Sequence, residues 1–259
     1  MLLENKNTVI YGAGAIGGAV ARAFAREGAS VFLAGRTRSK VEAVAQEISD
    51  TGGTVEAAEV DASDERAVED HVDEVERKTG GIDVVFNAIG MDDIQGALLV
   101  DMPLEEFAQP VIKAMRTQFV TARTVARRMV RRGSGAIMSI TVAPTPVPYH
   151  GGFGVACAAV EGMWRGFAAE LGPHGVRLVI LRSAGSPDAP DLRETFERHA
   201  AASGISPQEF LLEASRSTLL QRLPTLAEVA DAATIMASDL ASGMTAAFAN
   251  VTCGFWVDV

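Results

Sequence analysis

Short runs of apolar, β-branched residues alternate along the chain with longer stretches whose apolar positions recur at helical spacing. That alternation predicts strands at Thr8–Tyr11, Ser30–Ala34, Thr54–Val60, Asp83–Asn87, Ala136–Ile140, Arg177–Arg182 and Ala249–Val251. Helices are predicted between them at 16–27, 38–50, 64–78, 104–131, 154–171 and 225–237. The last opens Thr225-Leu226-Ala227-Glu228, the form of a capping box. Strand–helix–strand units imply right-handed crossovers and an α/β fold, a doubly wound parallel sheet with helices on both faces. No repeat, low-complexity tract or linker interrupts the pattern, so residues 1–259 are expected to form one domain. One stretch breaks the rhythm: 183–224 holds no strand and only two short helical patterns, near 190–202 and 206–216. At the carboxyl end of a strand, such a segment is expected to act as a lid over a ligand crevice. Its Phe196, Phe210, Leu211, Leu212, Leu219 and Leu220 would supply an apolar pocket wall, or equally the packing of its own helices.

The first strand runs into Tyr11-Gly12-Ala13-Gly14-Ala15-Ile16-Gly17, and a helix follows. A G-x-G-x-x-G match carries little by itself, but at a strand-to-helix junction it points to a Rossmann-type dinucleotide site. Gly12 permits the tight turn, and Gly14 lets backbone approach a pyrophosphate. Gly17 allows helix to pack on strand, while the helix N-terminus at Ala15 and Ile16 faces the phosphates with partial positive charge. The second strand ends Ala34-Gly35-Arg36-Thr37-Arg38. An acidic residue there would bind the adenosine ribose and favour NAD. Arg36, with Arg38 near it, instead favours a 2′-phosphate and hence NADP over NAD; the alternative is a solvated arginine closing the strand.

Composition narrows the partners. A formal charge of −10 argues against nucleic acid. The cluster Arg127, Arg128, Arg131 and Arg132 lies at a predicted helix end, where it complements the helix dipole. No apolar run is long enough to span a membrane, and the start lacks an export signal, so a cytoplasmic location is expected. Cys157 and Cys253 form no spaced cluster with the four histidines; they read as reduced thiols, and no metal site is expected.

From the glycine turn to Cys253-Gly254 the chain resembles the short-chain dehydrogenase/reductase superfamily. Val60-Asp61-Ala62 resembles the family's acidic segment beside the adenine. Asp83-Val84-Val85-Phe86-Asn87-Ala88-Ile89-Gly90 resembles its Asn-Asn-Ala-Gly element, implying cofactor contacts from Asn87, Ala88, Ile89 and Gly90 as well as Asp61 and Ala62. Ala158-Ala159-Val160-Glu161-Gly162 resembles its long helix, and Leu181-Arg182-Ser183-Ala184-Gly185 stands where the family has Pro-Gly. The resemblance implies hydride exchange between a nicotinamide and a small carbonyl or alcohol. It also implies a homo-oligomer, a dimer or tetramer, assembled through the helices at 104–131 and 154–171. These helices carry a surplus of apolar residues, including Phe119, Met163 and Phe167.

The departures are chemical. The glycine turn is one residue shorter than the family's. The family's reaction uses asparagine, serine, tyrosine and lysine, and those positions fall here on Ala114, Val142, Phe153 and Cys157. Hydride transfer to a carbonyl leaves an oxyanion that needs a proton, and phenylalanine has none to give. Thr141 could polarise a carbonyl, and Tyr149 or His150 could donate a proton if their loop folds inward; a plain surface loop is the simpler reading. Cys157 beside His150 has the parts of a nucleophile but no third orienting residue, so a buried helix cysteine is preferred. Three functions follow: an oxidoreductase with atypical proton delivery and an apolar substrate, a non-catalytic dinucleotide-binding protein, or an isomerase or cyclase reusing the crevice.

Overall fold

In the computed structural model, which describes residues 1–142 and 147–255, seven strands pair in parallel in the order β3-β2-β1-β4-β5-β6-β7. They are β1 Asn7–Tyr11, β2 Ser30–Gly35, β3 Thr54–Glu59, β4 Val84–Asn87, β5 Gly135–Thr141, β6 Val176–Ser183 and β7 Ala247–Val251. The helices are α1 Ala15–Arg26, α2 Arg38–Asp50, α3 Glu65–Thr79, α4 Leu104–Arg132, α5 Gly151–Leu171, α6 Arg193–Ser203, α7 Pro207–Arg216 and α8 Leu226–Ala237. Chain order reverses between β1 and β4, so the crevice for a ligand opens at their carboxyl ends.

Successive strand residues feed two separate cores. Val9, Tyr11, Val85, Ile137 and Leu178 pack under α3, α4 and α5 with Val72, Val125 and Trp164. Ile10, Leu33, Phe86, Met138 and Leu181 pack under α1, α2 and α8 with Phe24, Ile48 and Val229. Both faces are buried, which is why these strands read as apolar runs rather than as alternation. The edge strands are the exceptions, β3 more than β7. Glu56 and Glu59 are solvent-exposed, and Glu56 meets Lys78 of α3 in a close ion pair.

Local chemistry sets the helix ends. Asp64 caps α3 by accepting from the backbone N–H groups of Arg66 and Ala67. The expected capping box at Thr225 forms with Glu228, and a second forms between Ser206 and Glu209. α5 begins three residues earlier than its pattern predicts. Its first turn lies against α4, where a Cβ on Gly152 would stand 2.0 Å from the Phe107 carbonyl oxygen, so the glycines fit where a larger residue would not. β7 begins two residues early, at Ala247 opposite Val179, and its Phe248 packs beneath the Arg182 guanidinium, 4.0 Å from ring centre to carbon.

The basic cluster at the end of α4 does more than complement a dipole. Arg128 is buried and bridges to Glu69, Asp73 and Glu76 of α3. Arg132 donates to the Ile82 carbonyl and to Asp83.

Tyr11, the last residue of β1, is 1 % exposed, and its hydroxyl shares a hydrogen bond of 3.1 Å with His71 Nδ1. Burial raises the phenol and lowers His71 from about 6.5 to about 4, so both partners are neutral. Between those two pH values the unfolded chain binds a proton at His71 that the folded chain does not. His71 therefore favours folding fully above about pH 6.5, and its contribution is lost as pH falls toward 4. Thermal melting followed from pH 7 to 4.5 is expected to show a falling midpoint, with a shallower fall in His71→Asn.

Candidate functional site

The turn from β1 to α1 is closed by backbone on both sides. Gly12 N–H donates to the Ala34 carbonyl at 2.8 Å, and Ala88 N–H donates to the Tyr11 carbonyl at 2.8 Å. Gly12 takes φ +109, and a Cβ there would lie 2.2 Å from the Ala88 oxygen. A Cβ on Gly17 would lie 1.9 Å from the Gly12 oxygen. Above this turn opens a cavity of about 1140 Å³, larger than the ~300–1,000 Å³ usual for small-molecule sites.

The expected cofactor residues fall around it. Gly12, Gly14, Ala15, Ile16 and Gly17 form its floor, and Ala88, Ile89 and Gly90 its rim at the end of β4. Arg36, Asp61 and Ala62 line the end where β2 and β3 finish. Asn87 does not line the cavity. It is fully buried, and neither polar atom of its amide has a hydrogen-bond partner among the described residues.

Charge at the β2 end is mixed. Arg36, Lys40, Lys113 and Arg116 share the wall with Asp61 and Asp92. The Arg36 guanidinium donates to Asp92 at 3.2 and 3.3 Å, and Lys113 ion-pairs with the same carboxylate. Desolvation opposes ionisation of Asp92, but these two cations hold its carboxyl below the usual range. Asp61 is also held low, by the Ser63 hydroxyl at 2.7 Å and the Ser63 N–H at 2.9 Å.

At the other end lie the four residues that the resemblance aligns with catalytic groups. Val142 and Phe153 line the cavity, while Ala114 and Cys157 are buried beneath it. Burial pushes the Cys157 thiol up to about 12, which removes the nucleophile reading. Thr141 lines the cavity, but its hydroxyl donates to Glu161 Oε1 at 3.1 Å. Glu161, 2 % exposed, in turn takes two hydrogen bonds of 2.8 Å from Arg182. The Thr141 proton is thus committed to the carboxylate of this buried pair.

Tyr149 is not among the cavity-lining residues. It takes φ +68 and stands edge-on to His199, with ring centres 6.3 Å apart. Its neighbour His150 does face the cavity, edge-on to Phe153 at 6.1 Å and 5.4 Å from His199. Behind them Gln95 Nε2 donates to Asp93 at 2.7 Å, so Gln95 Oε1 accepts, and His199 Nε2 at 2.8 Å carries the proton. Burial lowers both imidazoles, His199 to about 4. His199, Gln95 and Asp93 have no local sequence signal, because they lie on segments far apart in the chain.

The segment 183–224 supplies the outer wall, as expected of a lid. Phe196 and Phe210 line the cavity with ring centres 6.1 Å apart. Leu211 does not line it, and Leu212, Leu219 and Leu220 are exposed elsewhere. No group of His, Cys, Asp or Glu among the described residues has the form of a metal site, and no described helix is long and apolar enough to cross a membrane.

A family model described as enoyl-(acyl carrier protein) reductase matches residues 12–256. Enoyl-[acyl-carrier-protein] reductase [NADH] 1 of Rhizobium meliloti is 30% identical over 98% of this chain and 91% of its own. A 3-oxoacyl-[acyl-carrier-protein] reductase of Chlamydia muridarum is 28% identical over 98% of both chains. Among solved structures, an NAD+-bound xylitol dehydrogenase superposes with a TM-score of 0.90 at 22% identity, covering 98% of this chain and 100% of that one. Levodione reductase does so at 0.89 and 24%, over 97% and 98%. At these identities the structures speak to the fold.

The two glycine contacts and the buried pair give direct tests. Gly17→Ala is expected to push α1 off the sheet and weaken dinucleotide binding at least ten-fold in a fluorescence titration. Glu161→Gln removes the charge that accepts from both Thr141 and Arg182 and is expected to cost about 1–3 kcal/mol in urea unfolding.

Proposed function

The chain belongs to the enoyl-(acyl carrier protein) reductase family within the short-chain dehydrogenase/reductase superfamily, and we propose that it is an NADP-dependent oxidoreductase acting on an apolar carbonyl or its alcohol. The observation that carries the cofactor choice is the end of β2. The strand is followed by Arg36 rather than by an acidic residue, and Arg36 already holds an anion, the Asp92 carboxylate, at the cavity wall. Lys40, Lys113 and Arg116 add positive charge at the same end. Gly12, Gly14 and Gly17 would hold the pyrophosphate on the α1 N-terminus, and Ala88 to Gly90 would line the cofactor beyond it.

The bound dinucleotide supplies the hydride. The protein's part is to exclude water, orient the substrate and hold a proton. Phe153, Phe196 and Phe210 supply apolar walls. With the Thr141 hydroxyl turned to Glu161 and Tyr149 off the cavity, His150 is the proton-holding group we assign, backed by His199 and Gln95. As an imidazolium it would give its proton to the oxygen of a reduced carbonyl. As a neutral ring it would accept one from an alcohol.

A second reading rests on the apolar residues at 114, 142, 153 and 157: a dinucleotide-binding protein without turnover. Titration with NADPH and NADH, followed by loss of reduced-nicotinamide absorbance over a panel of ketones and aldehydes, separates the two. Tighter NADPH binding with turnover supports the oxidoreductase. Tight binding without turnover on any of the panel supports the second reading, and equal affinity for both nucleotides removes the role of Arg36.

Two further outcomes are expected. His150→Gln should lower kcat about 10²–10⁴-fold with little change in nucleotide affinity. Because burial lowers His150 below its ordinary value near 6.5, carbonyl reduction should quicken as pH falls below neutrality and alcohol oxidation should not. We also read the outer faces of α4 and α5, with Phe119 and Val155 exposed, as the interface of a cytoplasmic homo-oligomer. Light scattering that returns a monomer would remove that part.

A further inference from the structure

Between β6 and α6 the chain crosses the mouth of the cavity as a strap, 186–192, folded into two successive turns. Ala189 N–H donates to the Ser186 carbonyl at 3.0 Å, and Leu192 N–H donates to the Ala189 carbonyl at 3.1 Å. The strap carries two carboxylates, and each meets the N-terminus of a helix. Asp188 accepts from the Leu226 N–H of α8 through both oxygens, at 3.1 and 3.2 Å. Asp191 accepts from the Ala15 N–H, the first residue of α1, at 3.0 Å. The same Asp191 oxygen would lie 3.0 Å from a Cβ on Gly14.

The second contact has a different meaning from the first. Leu226 lies outside the cavity lining, whereas Gly14 and Ala15 form the floor on which a pyrophosphate would rest. A carboxylate and a phosphate ask the same of a helix N-terminus, namely a backbone N–H and partial positive charge. One anion is therefore already seated where the other must go, and two negative charges cannot share the place without repulsion.

We infer that Asp191 is an intramolecular competitor for the pyrophosphate cradle, and that the strap must leave Ala15 before a dinucleotide can seat. This rests on the dinucleotide reading of the site given above. Leu192, Thr195, Phe196 and His199 follow Asp191 directly and line the same cavity. Displacing the carboxylate therefore moves the wall against which a substrate would pack. Asp188 stays on α8 and serves as the anchor about which the strap turns.

The test compares wild type, Asp191→Asn and Asp191→Ala by fluorescence or calorimetric titration with NADPH, NADH and 2′-AMP, the last having no pyrophosphate. Asn keeps an acceptor but loses the charge, and Ala loses both. A charge at a helix N-terminus is worth enough to tighten dinucleotide Kd about two- to five-fold in Asp191→Asn at low salt. The gain should be equal or larger in Asp191→Ala and smaller in high salt. The affinity for 2′-AMP should not change. In the unliganded protein, hydrogen exchange over residues 13–17 should be faster in Asp191→Ala. Unchanged or weaker dinucleotide binding in both variants overturns the inference and leaves the site reading intact. So does an equal gain for 2′-AMP, or unaltered exchange at 13–17. Failure of all three proteins to bind any of the probes overturns the dinucleotide reading, and the inference with it.

Discussion

A side chain at position 12 would meet the Ala88 carbonyl, and one at position 17 would meet the carbonyl of Gly12, so the joint between β1 and α1 exists only where both residues lack a Cβ. Much else follows from that contact between backbones. It draws β4 against the turn, sets the point where strand order reverses, and aims the first N–H groups of α1 into the crevice. The cavity takes its floor from this joint and its walls from residues that arrive much later in the chain.

Those walls replace one kind of chemistry with another. Ala114, Val142, Phe153 and Cys157 leave that end of the cavity apolar, and Glu161 and Arg182 pair nearby, out of water. The polar groups lie instead near Phe153, where His150 stands edge-on to His199 and a hydrogen-bonded chain runs from His199 through Gln95 to Asp93. Burial keeps both imidazoles neutral near pH 7, so the polarity of this wall depends on protonation rather than on permanent charge.

What the sequence makes legible is what local spacing encodes. The strands, the glycine turn, the capping box at Thr225 and the absence of an acid after β2 are all written within a few residues. So is the lid-like segment, although only Phe196 and Phe210 of its apolar residues face inward, because side-chain direction in short helices depends on how they dock. Thr141 lines the cavity, yet its hydroxyl is taken by a carboxylate twenty positions on, a partner that no local pattern names. Tyr149 and His150 are adjacent, and the left-handed backbone at Tyr149 decides which of the two faces the crevice. Asp191 meeting Ala15 is illegible for the same reason: 176 residues separate them.

The sheet's two ends differ from its middle, and β3 shows how. Its exposed Glu56 and Glu59 stand on a strand whose outer backbone groups have no neighbouring strand in the sheet. A bare edge of apolar residues would invite a second chain to continue the ladder, and like charges meeting across such a seam resist that growth. The same two glutamates that contribute nothing to the crevice thus guard the protein's colloidal behaviour. They oppose open-ended, strand-to-strand stacking of copies at this edge.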